Sequence, residues 1–173
     1  MQFFEEILNI ITNRMKNRKE HLGQIAMTGY SFEEWFNWEA FLACKDAELN
    51  AIPKPLYSEY KLALTQKSGD LLVENAKRTI LFEFGTFHDY TGAKQIEKLE
   101  RDREKLLNAK GKASHSIVLI QVLVLLSSHK TFLEDPKWCR WLDRLSFWTN
   151  NSSYSSDFLL SPDGKMVLKA WCV

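Results

Sequence analysis

The sequence predicts an α/β domain, a mixed central sheet flanked by helices and followed by a C-terminal helix and β-hairpin. Three observations carry this. Leu71-Leu72-Val73 and the β-branched, aromatic run Thr79 to Phe87 flank the polar Glu74-Asn75-Ala76-Lys77, the pattern of two strands joined by a tight turn. His115 to Leu126 is nearly continuous in apolar residues, as suits a central strand covered on both faces. An amphipathic segment separates these stretches. Strand, helix and buried strand then make a crossover connection, right-handed if the two strands are parallel neighbours.

The other elements follow in order. Phe3, Phe4, Ile7, Leu8, Ile10, Ile11 and Met15 recur at helical spacing and predict one amphipathic helix from about Gln2 to His21. Its basic end suits the negative end of the helix dipole. A connector, Gly23 to Tyr30, leads to Ser31-Phe32-Glu33-Glu34, which reads as a capping box for a helix reaching about Ala47. The buried stripe of that helix is read as Phe32, Trp35, Trp38, Leu42 and Ala43, and Glu39 lies beside it, either at its edge or pointing into a polar site. Pro53 and Pro55 mark a loop or extended edge, and Tyr57 to Leu64 reads as a first strand, with a turn at Gln66 to Gly69. Lys94 to about Asn108 is a helix with Ile96, Leu99, Leu106 and Leu107 as its apolar face. Asp135-Pro136 starts another, which carries a Trp138, Trp141, Leu142, Leu145 and Trp148 face. After a polar loop, Asn150 to Ser156, the strands Phe158–Leu160 and Met166–Trp171 flank the turn Pro162-Asp163-Gly164 and are expected at a sheet edge.

The 173 residues suffice for a single domain, with a core of about 31–126 and an elaboration over 127–173. A net charge of +1 gives no global basic field, so any nucleic-acid site has to be a local patch. Three well-separated cysteines, Cys44, Cys139 and Cys172, argue against a disulfide framework or zinc site and fit a reducing compartment. The N-terminus carries acids before its apolar run, unlike a secretory signal, and the longest apolar run falls far short of a membrane span. A cytoplasmic, soluble protein is expected.

Two carboxylates interrupt the apolar centre. Asp70 opens the first of its two strands, and Glu83 sits between Phe82 and Phe84 in the second. A carboxylate there is costly unless something pairs with it, and two on neighbouring strands can hold one hard divalent cation. Taken singly, each has a simpler reading: Asp70 as a turn cap, Glu83 as a solvent-facing residue. His88 and Asp89 follow the strand end; His88 reads more simply as a loop histidine than as a general base.

The order helix, three strands, helix, strand, with an acid in the helix, one at the start of the second strand and one in the third, resembles the PD-(D/E)XK nuclease superfamily, the restriction-endonuclease-like fold. The resemblance covers roughly Trp35 to Leu126. It implies that Asp70 and Glu83 bind the metal, Mg²⁺ or Mn²⁺, and that Glu39 completes the site. The family's third-strand motif is E-x-K, but here it reads Glu83-Phe84-Gly85, so Gly85 stands where the lysine belongs, and no proline precedes Asp70. Some relatives move this lysine to the following helix, which makes Lys94, with Lys98 as the alternative, the expected amine; Gln95 resembles the polar helix residue of many relatives. The resemblance implies metal-dependent hydrolysis of DNA or RNA phosphodiesters. The missing lysine keeps a second class open: a non-catalytic binding protein on the same scaffold, such as an immunity or inhibitor protein whose partner is a toxin. A homodimer is a further alternative, and no membrane partner is expected.

Overall fold

The structure, a computed structural model, describes residues 2–62, 67–110 and 116–173. Its elements in chain order are α1 (Phe3–Lys16), α2 (Lys19–Thr28), α3 (Glu33–Asp46), β1 (Asn50–Pro53), β2 (Leu71–Glu74), β3 (Thr79–His88), α4 (Ala93–Lys110), β4 (Ile117–Ser127), α5 (Pro136–Leu142), β5 (Tyr154–Leu159) and β6 (Lys165–Cys172), with a short 3-10 turn at Phe132–Glu134. The six strands form one mixed sheet in the order β1-β2-β3-β4-β6-β5. β1, β2 and β3 are an antiparallel meander, and β3 pairs in parallel with β4. β6 then adds antiparallel to β4, with β5 outside it. The result is an α/β fold.

Strand alternation sorts the core. On β3, Ile80, Phe82 and Phe84 point to the layer built by α1, α2 and α3, as do Ile120, Val122, Val124 and Leu126 of β4. The opposite residues, Leu81, Phe87, Leu119, Leu123 and Leu125, meet α4 and the α5 region. Both faces of β3 and β4 are therefore covered, which is why these two strands read as unbroken apolar runs.

The central hairpin, the α4 crossover and the C-terminal hairpin lie where the sequence puts them. β5 begins inside the stretch read as a polar loop, because Tyr154 turns inward to pair with Asn9 and Thr12 of α1. Two expectations fail in the second half of the chain, where α5 ends at Leu142, short of Leu145 and Trp148, and where Leu107 of α4 is 50% exposed; four fail before β2. The N-terminal helix is two helices: Arg18 N–H donates to Met15 O, breaking the run so that Leu22 and Ala26 of α2 reach the core. α2 ends at Gly29, whose φ of 71° suits glycine and against which the Tyr90 ring packs. The Ser31 capping box does not form: Phe32 occupies the N-cap without a side-chain bond. The buried face of α3 is Phe36, Glu39, Ala40, Ala43 and Cys44, which leaves Trp38 54% exposed.

The fourth concerns the first strand, which is Asn50–Pro53 and not Tyr57 to Leu64. The described part of that segment is a turn, with Lys61 at φ 59° and Tyr57 fully buried. Residues 63 and 64, and Gln66 of the expected turn, lie outside the described residues, as does His115 at the expected start of β4.

Candidate functional site

β2 and β3 pair as far as Leu71 opposite Phe82, and Asp70, the next residue out, is near enough to Glu83 for its charge to act on that carboxyl. Regular pairing ends here. Asp70 N–H still donates to Phe82 O at 3.2 Å, but the next strand amide, Phe84 N–H, is received by Asp70 Oδ2 at 2.7 Å. The side chain replaces the backbone acceptor, and Asn37 of α3 donates to its other oxygen at 3.0 Å. Asp70 is thus fixed in the notch where α3, β2 and β3 meet.

Glu83 is 3% exposed. Its Oε1 accepts the Tyr57 hydroxyl at 2.5 Å and lies 2.7 Å from Lys105 Nζ. Lys105 also donates to Ser68 O at 3.2 Å and sits over the Tyr57 ring, 3.8 Å from Asp102. The amine beside Glu83 therefore comes from α4, and it is Lys105 instead of Lys94 or Lys98. Gly85 leaves no room for a side chain on this stretch of the strand. It faces α4, and a Cβ there would run into Leu99 Cδ2, so the strand position is given to close packing of the helix.

An acid from α3 completes the surroundings. Glu33 pairs with Lys98 and accepts from Gln95 Nε2 at 3.2 Å, while Gln95 also donates to Thr86 O at 3.1 Å. Glu33, Asn37 and Asp70 line a cleft of about 340 Å³ together with Glu34, Trp38, Pro53 and Lys54.

The electrostatics agree with an excess of negative charge. Burial, and after it the charge of Asp70, pushes the Glu83 carboxyl up to about 8, against the opposing pull of Lys105 and Tyr57. Asp70 is raised as well, first by burial and then by Glu33 and Asp102, against the Phe84 N–H and Lys105. Burial is also the main influence raising Asp102. The Tyr57 phenol is held far above its ordinary range by burial and then by Glu83, so it is a permanent donor. Four carboxylates and two amines thus share one region, and a cation entering it relieves repulsion.

Among the described residues no group of three or more His, Cys, Asp or Glu side chains is arranged to hold a metal ion. The candidate donors are the two carboxylates of Asp70 and Glu83. They fit a hard cation: the donors are oxygens, each acid's ionisation is opposed by burial and by neighbouring charge, and Mg²⁺ characteristically takes one or two carboxylates with water or phosphate oxygens filling the rest.

The structure does not bring Glu39 to this pair. Its carboxylate meets Arg14 Nε at 2.6 Å and Arg18 Nε at 3.5 Å, an ionic tie between α1 and α3. Lys94 lines a separate recess of about 390 Å³ with Ser31, Thr86, His88 and Gln95. His88 lies five residues beyond Glu83, about 16 Å along the strand. Its ring accepts the Tyr90 N–H at Nδ1, and burial lowers its pKa. Asp89 is structural: it receives Ser127, Ser128 and Trp138, and these bonds hold its carboxyl low although burial, the largest influence, pushes it up.

Sequence reasoning missed Glu33, Tyr57, Asp102, Lys105 and Gln121. Gln121 stands in register with Glu83 on β4, is 0% exposed, and has neither amide atom hydrogen-bonded. One signal was available: Gln95, Lys98, Asp102 and Lys105 recur at helical spacing beside the apolar stripe of α4, a polar ridge on an inward edge. No family model, curated protein or solved structure matches the chain.

Proposed function

We propose that this chain is a PD-(D/E)XK-like nuclease domain on a restriction-endonuclease-like scaffold, hydrolysing nucleic-acid phosphodiesters with Mg²⁺ or Mn²⁺. One observation carries the reading: two neighbouring acids, one just before β2 and one in β3, each with its ionisation disfavoured by burial and by surrounding carboxylates, beside a lysine from the crossover helix. Lys105 is a single cation beside two buried acids, and the charge it leaves unbalanced is costly, which supports a site that takes a further cation. The metal, when bound by Asp70 and Glu83, would polarise a phosphate and lower the pKa of its water.

The chain's own residues supply the rest. Asn37 and the Phe84 N–H orient Asp70. Tyr57 and Lys105 orient Glu83, and the Lys105 ammonium is the group placed to stabilise charge that develops on phosphate. Glu33, neutralised by Lys98, takes the place in α3 expected of Glu39.

Incubation of plasmid DNA and of RNA with Mg²⁺ or Mn²⁺ tests this. Cleavage is expected from the wild type and is expected to fall about 100-fold or more in Asp70→Asn and in Glu83→Gln. Cleavage that survives both substitutions, or that ignores the metal, refutes it. The second reading, a non-catalytic binding or immunity protein, draws on the exposed side chains Met27, Tyr30 and Tyr90 and on the Lys105 partner that already meets Glu83. Folded protein with neither cleavage nor metal uptake would favour it.

A further inference from the structure

Beside Asp70, the 340 Å³ cleft has features that its acids do not explain. Trp38 lines it and is 54% exposed, although α3 buries its opposite face completely at Phe36 and Ala40. Its ring is steadied from the side by Phe41, with centroids 5.5 Å apart. Lys54 lines the same cleft, makes no ion pair among the described residues, and holds a φ of 49°, a left-handed conformation unusual for lysine. That backbone is pinned between Pro53 and Pro55 and by its N–H donating to Asp70 O at 3.1 Å. Glu48 and Lys61 share this left-handed conformation, so what singles out Lys54 is its place in the cleft and its backbone bond to Asp70.

We infer that Trp38 and Lys54 form a nucleotide subsite that takes an unstacked base of a single strand, with the base on the indole face and its phosphate at Lys54. An indole is covered by a base only when that base has left its own stack, so the subsite selects single-stranded or frayed nucleic acid over intact duplex. The volume falls in the range of small-ligand pockets. The cleft is also lined by Glu33, Glu34 and Asp70, so the complement to a nucleotide is confined to the uncharged base on Trp38 and the phosphate at Lys54. This deepens the nuclease reading and rests on it for the identity of the polymer.

The experiment uses the full chain carrying Glu83→Gln, which silences hydrolysis but leaves Trp38 and Lys54 in place. A labelled DNA oligonucleotide, alone or annealed to its complement, is titrated with this protein. The single strand is expected to bind more tightly than the duplex and to quench indole emission. Adding Trp38→Ala should weaken binding about 10-fold and remove the quench, and Trp38→Phe should restore most of the affinity. Adding Lys54→Asn, which tolerates the backbone angle, should lower the salt dependence by about one phosphate contact. Equal affinity for both forms, indifference to Trp38→Ala, or no binding overturns the inference. If wild type still cleaves in Mg²⁺ in that event, the nuclease reading stands without it. If the single strand binds through Trp38 while wild type cleaves nothing, the subsite stands and the nuclease reading falls.

Discussion

Glu83 is a carboxylate enclosed by Tyr57, Lys105 and the edge of the sheet, and its ionisation is opposed more by burial and Asp70 than it is helped by its partners. A group whose folded pKa lies above its unfolded value of 4.5 binds more protons in the folded state. Its stabilising contribution is complete below the unfolded value and is lost as pH rises through about 8. Thermal melts should therefore show stability falling between about pH 5 and pH 8, and Glu83→Gln should flatten that slope. A wild type whose stability rises across this interval would mean that Lys105 governs Glu83. At this scale the sequence was partly legible. An acid between two phenylalanines announces itself, but Tyr57 and Lys105 are separated from it by 26 and 22 residues, and nothing local pairs them with it.

The helix α4 and the strand β3 define the site through their separation. Gly85 lets Leu99 rest on the strand, which brings the Lys105 end of the helix over Glu83. Gly85→Ala should cost about 1–3 kcal/mol in denaturant unfolding, the range of overpacking a core. Leu99→Ala should cost about 2–5 kcal/mol by itself, and the double variant should be more stable than the sum of the two predicts. Strict additivity would show that the strand and helix do not meet there. A lysine at this position, Gly85→Lys, meets the same obstacle and should destabilise the fold. The apolar stripe of α4 is periodic, so its ends are legible in the sequence to within two residues. Nearness to the helix start favours Lys94, with Lys98 as the alternative, whereas a helix crossing a sheet returns its far end to the strand's beginning, which puts Lys105 beside Glu83. Glu39 was singled out for lying near an apolar stripe, but the burial direction of α3 is rotated towards Phe36 and Ala40, which sends Glu39 to Arg14 and Glu33 towards the cleft.

The whole molecule is organised around β3 and β4, whose parallel pairing runs from Thr79 and Ile117 to His88 and Leu126. These strands were legible because both faces are covered and their composition is uniform. The first strand was not: Asn50–Pro53 ends in a proline and is four residues long, a signature of a sheet edge that periodicity does not detect. The C-terminal hairpin is part of the main core, since Met166, Leu168 and Ala170 pack with Phe82, Val122 and α1. Removing residues 150–173 strips β4 of its β6 partner and leaves a long apolar edge. Such a chain should aggregate by light scattering and lose its cooperative melt; a soluble, cooperative fragment would mean that the hairpin is a mere addition. No described helix is long and apolar enough to cross a membrane.

The central claim is that Asp70 and Glu83 jointly hold a divalent cation. Isothermal titration of Mg²⁺ into the wild type tests it most directly. The account predicts one site whose affinity rises up to about 10-fold per pH unit until about pH 8, as the proton on Glu83 is displaced, and that is lost in both Asp70→Asn and Glu83→Gln. Heats that are unchanged by either substitution, or the absence of binding by a folded wild type at pH 8, would contradict it.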